Sequence, residues 1–129
     1  MSAMRIAATE RSPEVDFDFE TGELTLRGES YPEDAASFFG PVVAELRGFL
    51  ERRDGPPVRL TVELIYFNSS TAKVLMNLLQ MLEAEAARGR PVRVDWRYAP
   101  GDDTMQEFGE DFSEDLDHVD FRLAEVPPA

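Results

Sequence analysis

The sequence contains no cysteine and a single histidine, His118. Without thiols there is no disulfide framework, no thiolate nucleophile and no cysteine-bound zinc or iron–sulfur cluster. With one imidazole, a two-histidine zinc site cannot form within one chain. Asp117 and Asp120 flank His118 closely enough to suggest a catalytic dyad, but a surface histidine at a strand start is the better account. Long apolar runs are also missing. No window approaches the roughly 20 residues of a membrane span, and the first residues lack the apolar stretch of a signal peptide, so a cytoplasmic protein is expected. Basic residues are scarce: 13 Lys and Arg stand against 26 Asp and Glu, a formal charge of −13. Nucleic-acid binding draws most of its affinity from basic contacts. DNA, RNA and anionic membranes are therefore not expected as partners, whereas a protein with a basic face is a suitable one. Walker A, G-x-G-x-x-G, G-x-S-x-G and H-E-x-x-H signatures are absent as well.

What remains is one domain's worth of chain, 129 residues of which 43% are apolar. Residues 1–13 are mixed and polar and read as a flexible arm, 14–125 as the folded domain, and 126–129 as a tail. Val15-Asp16-Phe17-Asp18-Phe19 and Leu24-Thr25-Leu26 alternate with period 2 around Gly22, the pattern of a β-hairpin. Ser30-Tyr31-Pro32-Glu33 fits a capping box. It precedes Phe38, Phe39, Val42, Val43, Leu46, Phe49 and Leu50 at helical spacing, with Pro41 predicting a kink or a late start. Val58 to Phe67 reads as a long strand. Its apolar end suggests a central strand covered on both faces. A helix from about Ser70 to Arg88, a strand over 91–98, a short helix opened by Gly101-Asp102-Asp103 and a strand over 118–123 complete the order ββαβαβαβ. That order predicts an α/β fold, a mixed sheet with helices packed on it.

Nine carboxylates lie between Tyr98 and Arg122 with no Lys or Arg among them, from Asp102 and Asp103 to Asp117 and Asp120. Such density raises the alternative of a small metal-dependent enzyme using the 102–120 stretch. The spacing is not that of an EF-hand loop. A solvated helix face, with Met105, Phe108 and Phe112 turned inward, explains it better, and no metal or other cofactor is expected.

Asn68-Ser69-Ser70-Thr71 places three consecutive hydroxyls where a strand gives way to a helix. In open α/β sheets functional groups collect beyond the carboxyl ends of strands. Capping of the helix by Asn68 or Ser69 is the plain explanation. A phosphate added here would face the free N–H groups of the helix start and bring about −1.5 to −2 charges.

Three blocks together resemble the SiaC family of bacterial regulatory phosphoproteins, single domains with a STAS-like fold. They are Gly28-Glu29-Ser30-Tyr31-Pro32-Glu33-Asp34, then Tyr66-Phe67-Asn68-Ser69-Ser70-Thr71-Ala72-Lys73, then Val94-Asp95-Trp96-Arg97-Tyr98 with Glu107-Phe108-Gly109-Glu110-Asp111-Phe112. The resemblance spans about residues 14 to 124. It implies a non-enzymatic partner-switching protein in cyclic-di-GMP signalling and biofilm regulation. A cognate Ser/Thr kinase would phosphorylate it and a PP2C-type phosphatase reverse this. Its effector, expected to be a diguanylate cyclase, would bind the unmodified form. The acceptor implied is Ser69, the hydroxyl after Asn68, with Ser70 and Thr71 as alternates.

On a helical wheel Leu75, Leu78, Leu79, Leu82 and Ala86 form a core stripe. Lys73, Met76, Asn77 and Gln80 lie opposite. Binding that senses a phosphate on Ser69 must occur within about a Debye length of it, roughly 8 Å. The partner surface is therefore expected to comprise Asn68, Ser69, Ser70, Thr71, Lys73, Met76, Asn77 and Gln80. Trp96 is expected in the core rather than as a ligand platform. A structural subunit whose hydroxyls only cap a helix is the remaining alternative.

Overall fold

The computed structural model describes residues 3–52 and 54–127. Six strands form one sheet in chain order: β1 (Ala3–Ile6), β2 (Glu14–Asp18), β3 (Glu23–Ser30), β4 (Val58–Phe67), β5 (Val92–Tyr98) and β6 (Asp120–Glu125). The first three pair antiparallel, and β3 through β6 run parallel. Parallel neighbours need crossovers, which α1 (Ala35–Glu51), α2 (Ser69–Ala87) and α3 (Asp103–Ser113) supply. The α/β class and the order of the later elements are as expected.

The segment expected to be a flexible arm carries β1 instead. Its four residues are too few to display a period, but they pair with β2 from Ala3↔Asp18 to Ile6↔Val15. Met1, Ser2, Pro128 and Ala129, the outer parts of the expected arm and tail, lie outside the described residues.

Alternation decides the two faces of the sheet. Val15, Phe17, Leu24, Leu26, Leu60, Val62, Val94 and Trp96 turn to the helices and are buried with Val42, Leu46, Leu75, Leu78 and Leu82. Trp96 is fully buried and donates its Nε1–H to the Met105 carbonyl at 2.9 Å. α3 approaches it through Gly109, where a Cβ would lie 2.5 Å from the indole.

Among the described residues, no helix covers the other face. It carries ion pairs between strands: Arg5–Asp16 at 3.1 Å, Arg59–Asp95 at 2.8 Å, Arg97–Glu63 at 3.3 Å and Arg27–Glu14 at 3.6 Å. The expectation that β4 is covered on both faces is thus corrected. The alternating Arg59, Thr61 and Glu63 keep one side polar.

The predicted capping box is also corrected. Ser30 ends β3 and is fully buried. The N-cap of α1 is Asp34, whose carboxylate accepts from the Ser37 N–H at 3.1 Å and hydroxyl at 2.8 Å. These bonds hold the Asp34 carboxyl below its ordinary value. The helix starts at Ala35 and runs through Pro41 rather than starting late. Pro41 is exposed, and the carbonyl it leaves unpaired, four residues back at Ser37, belongs to an exposed residue.

Candidate functional site

The parallel strands β3 and β4 end side by side, and α2 begins there. Asn68 caps α2 by accepting from the Thr71 N–H at 2.9 Å. Its own N–H donates to the Ser30 carbonyl at 3.0 Å. Thr71 is fully buried, and its hydroxyl donates to the same carbonyl at 3.1 Å. With that proton used, the 2.8 Å contact between the two hydroxyls has Ser30 donating to Thr71. These bonds form a closed ring of satisfied polar groups that fastens the helix start to the end of β3.

The sequence offers Thr71 as an alternate acceptor and as part of the partner surface. Its burial takes it out of both positions in this structure. The same turn exposes Ser69 and Ser70. Residues 69, 73, 76 and 80 fall within about 60° of one another on a helix of 3.6 residues per turn. Lys73, Met76, Asn77 and Gln80 are all exposed, Met76 by 50%, as their wheel positions predict. Met76 lies about 10 Å and Gln80 about 16 Å along the axis from Ser69, so the outer face extends beyond the roughly 8 Å expected for contacts that sense the phosphate.

Sequence reasoning missed Ile65 and Tyr66. Leu64 stands opposite Gly28 and Tyr66 opposite Glu29, so Ile65 is an extra residue in β4, a β-bulge. The bulge turns two consecutive apolar side chains outward, Ile65 at 71% exposure and Tyr66 at 51%, and returns Phe67 to the core. Tyr31 braces Tyr66 edge to face at 5.8 Å. The signal in the sequence is the run Leu64 to Phe67, since a sheet with one covered face cannot bury four consecutive side chains. Phe108, expected inward, is instead 37% exposed and packs on Phe67 at 4.8 Å. Exposed apolar groups thus flank the Ser69 turn, as on protein-binding surfaces.

The acidic stretch divides between α3 and the turn after it. Met105 and Gly109 face the core while Asp103, Glu107, Glu110 and Asp111 are exposed. Among the described residues, no group of three or more His, Asp or Glu is placed to hold a metal ion. His118 meets neither Asp117 nor Asp120 as a dyad partner but Glu83 of α2. The Glu83 carboxylate lies 2.7 Å from His118 Nδ1 and accepts from the N–H groups of His118 at 2.9 Å and Val119 at 3.1 Å. Burial acts to raise the Glu83 pKa, but the hydrogen bonds from the His118 side chain and from the 117–119 backbone prevail and hold it at about 2. This clamp fastens the start of β6 at the far end of the sheet from Ser69.

A one-sided mixed sheet, with exposed hydroxyls on the helix turn beyond a parallel strand, is the arrangement of a STAS-like domain. The chain belongs to the SiaC family: the pattern described as SiaC family regulatory phosphoprotein matches residues 6–126. The crystal structure of apo-SiaC from Pseudomonas aeruginosa is 34% identical, with a TM-score of 0.82 over 98% of this chain and 100% of that one. The SiaC chain in a crystal structure of the diguanylate cyclase SiaD in complex with its activator SiaC, from the same species, is 33% identical. It gives a TM-score of 0.88 over 95% of this chain and 99% of that one. An uncharacterised protein of P. aeruginosa is 36% identical over 116 residues, 89% of this chain and 90% of its own length. Among the described residues, no helix is long and apolar enough to cross a membrane.

Proposed function

We propose that the chain is a non-enzymatic cytoplasmic switch. A cognate Ser/Thr kinase phosphorylates Ser69, a PP2C-type phosphatase removes the phosphate, and the bare form binds an effector, a diguanylate cyclase. The observation that carries this reading is the division of labour within one helix turn. Thr71 is consumed by the ring with Ser30, whereas Ser69, next to Asn68, presents a hydroxyl to solvent. The relative found in complex with SiaD as its activator supports the effector half.

The effector contacts Asn68, Ser69 and Ser70 and the outer face of α2 at Lys73, Met76, Asn77 and Gln80. A phosphate on Ser69 would clash with a surface fitted to a bare hydroxyl. Its charge would also be desolvated without a partner, at a cost of several kcal/mol. Since each 1.4 kcal/mol is about tenfold in affinity, that suffices for a switch.

The test is phosphosite mapping by mass spectrometry after incubation with the host's cognate kinase. Phosphate is expected on Ser69, retained in Ser70→Ala and absent in Ser69→Ala, which should melt like the wild type. Full incorporation into Ser69→Ala would overturn the assignment.

A further inference from the structure

The charge on the outer face of α2 is a single group. Lys73 is the only lysine in the chain. It is exposed, and among the described residues it has no ion-pair partner, although carboxylates outnumber cations two to one. Its companions Met76, Asn77 and Gln80 are uncharged. The other cation at this end, Arg11, whose carbonyl accepts from the Tyr31 N–H, is engaged with Glu33 at 3.5 Å. Lys73 lies four residues after Ser69 on the same stripe, where side chains of one helix meet with Cβ atoms about 5–6 Å apart. The order, anion first and lysine one turn later, is the favourable one for an ion pair along a helix.

Resting on the reading that Ser69 is the acceptor, we propose that Lys73 is the group through which the phosphate is read. In the bare form Lys73 offers its ammonium to a carboxylate of the effector. With Ser69 phosphorylated, the phosphate captures Lys73 within the helix and withdraws it from the partner. The face that carries +1 when bare then carries about −0.5 to −1, given a phosphate of −1.5 to −2. A partner fitted to the bare face thereby loses its attraction and meets repulsion. This explains how one modification acts over the whole face: the phosphate's nearest cation is the face's only one.

The capture can be tested without kinase or effector. Phosphoserine is installed at position 69 by codon suppression, and its second ionisation is followed by ³¹P NMR in the wild-type, Lys73→Gln and Lys73→Arg backgrounds. The apparent pKa should lie about half a unit lower in the wild type and in Lys73→Arg than in Lys73→Gln, and the difference should shrink in roughly 0.5 M salt. Equal values in all three would overturn the capture. The recognition half is tested by titrating the host's own SiaD-like diguanylate cyclase with unphosphorylated protein. Lys73→Gln should bind roughly five- to tenfold more weakly, the loss of one charge-assisted contact. Unchanged affinity would overturn the recognition. If the wild type itself does not bind that cyclase, the effector reading above fails, while the NMR arm still decides the capture.

Discussion

The two ends of the parallel sheet use polar side chains in opposite ways. At the far end Glu83 and Arg90 are turned to partners inside the molecule, although the Arg90 Nη1 is buried without a hydrogen-bond partner among the described residues. Glu83 holds His118 and the Val119 N–H. The Arg90 side chain is buried, with its Nε 3.0 Å from Glu85, its guanidinium over the Phe49 ring and a further N–H on the Arg52 carbonyl. Gly22, at φ +82°, fits so closely that a Cβ there would lie 2.0 Å from the Pro57 carbonyl oxygen. At the Ser69 end an inner ring of Ser30, Asn68 and Thr71 is spent, and Arg11 is paired with Glu33. Ser69, Ser70 and Lys73 are left over, beside apolar groups that the fold turns outward. A hydroxyl that stabilises the fold cannot also be offered to a kinase. In the function we propose, three hydroxyls in a row let this chain do both within one turn.

Thr71→Val should show the largest effect on stability, because it leaves the Ser30 hydroxyl buried without its partner. A loss of about 1–3 kcal/mol is expected in urea denaturation. Combining it with Ser30→Ala should cost less than the sum of the two single changes, since both ends of the bond are then apolar. Additive losses would show that the ring is not a unit.

A pH-dependent effect of comparable size is expected at the opposite end. The Glu83 carboxyl is held at about 2, against an ordinary 4.5. The folded state therefore binds that proton less readily than the unfolded chain. The resulting stabilisation is fully present above pH 4.5 and is lost as pH falls toward 2. Melting temperatures measured between about pH 7 and about pH 2.5 should fall less steeply for Glu83→Gln than for the wild type. Parallel curves would remove Glu83 from the clamp. The smallest effect belongs to Ser69→Ala, an exposed hydroxyl outside the ring, whose stability should stay within about 0.5 kcal/mol of wild type.

The same contrast explains what can be read from the sequence. The hairpin strands and the buried stripe of α2 are legible because their periods of 2 and 3.6 span many residues. Trp96 is legible because a large apolar group on an alternating strand belongs to the core. β1 is too short to show a period. Ser30 resembles a cap because the pattern Ser-x-x-Glu suits a helix start, yet Asp34 stands nearer and Ser30 is drawn into the sheet by Thr71. Ile65 and Tyr66 are hidden because a bulge shifts the phase of alternation, which depends on how β3 pairs with β4. At the site, the exposure of Ser69 and of Lys73, Met76, Asn77 and Gln80 follows from helix geometry. The enclosure of Thr71 does not, since its partner is 41 residues away.

The central claim is that a phosphate on Ser69, and not on its neighbours, controls the effector. The direct measurement is calorimetric titration of the host's SiaD-like cyclase with three forms: bare protein, protein carrying phosphoserine at position 69, and protein carrying it at position 70. The account predicts binding at least about 100-fold weaker for the position 69 form, a penalty of roughly 3 kcal/mol, and a clearly smaller loss for position 70. Equal affinity of the bare and position 69 forms would contradict it.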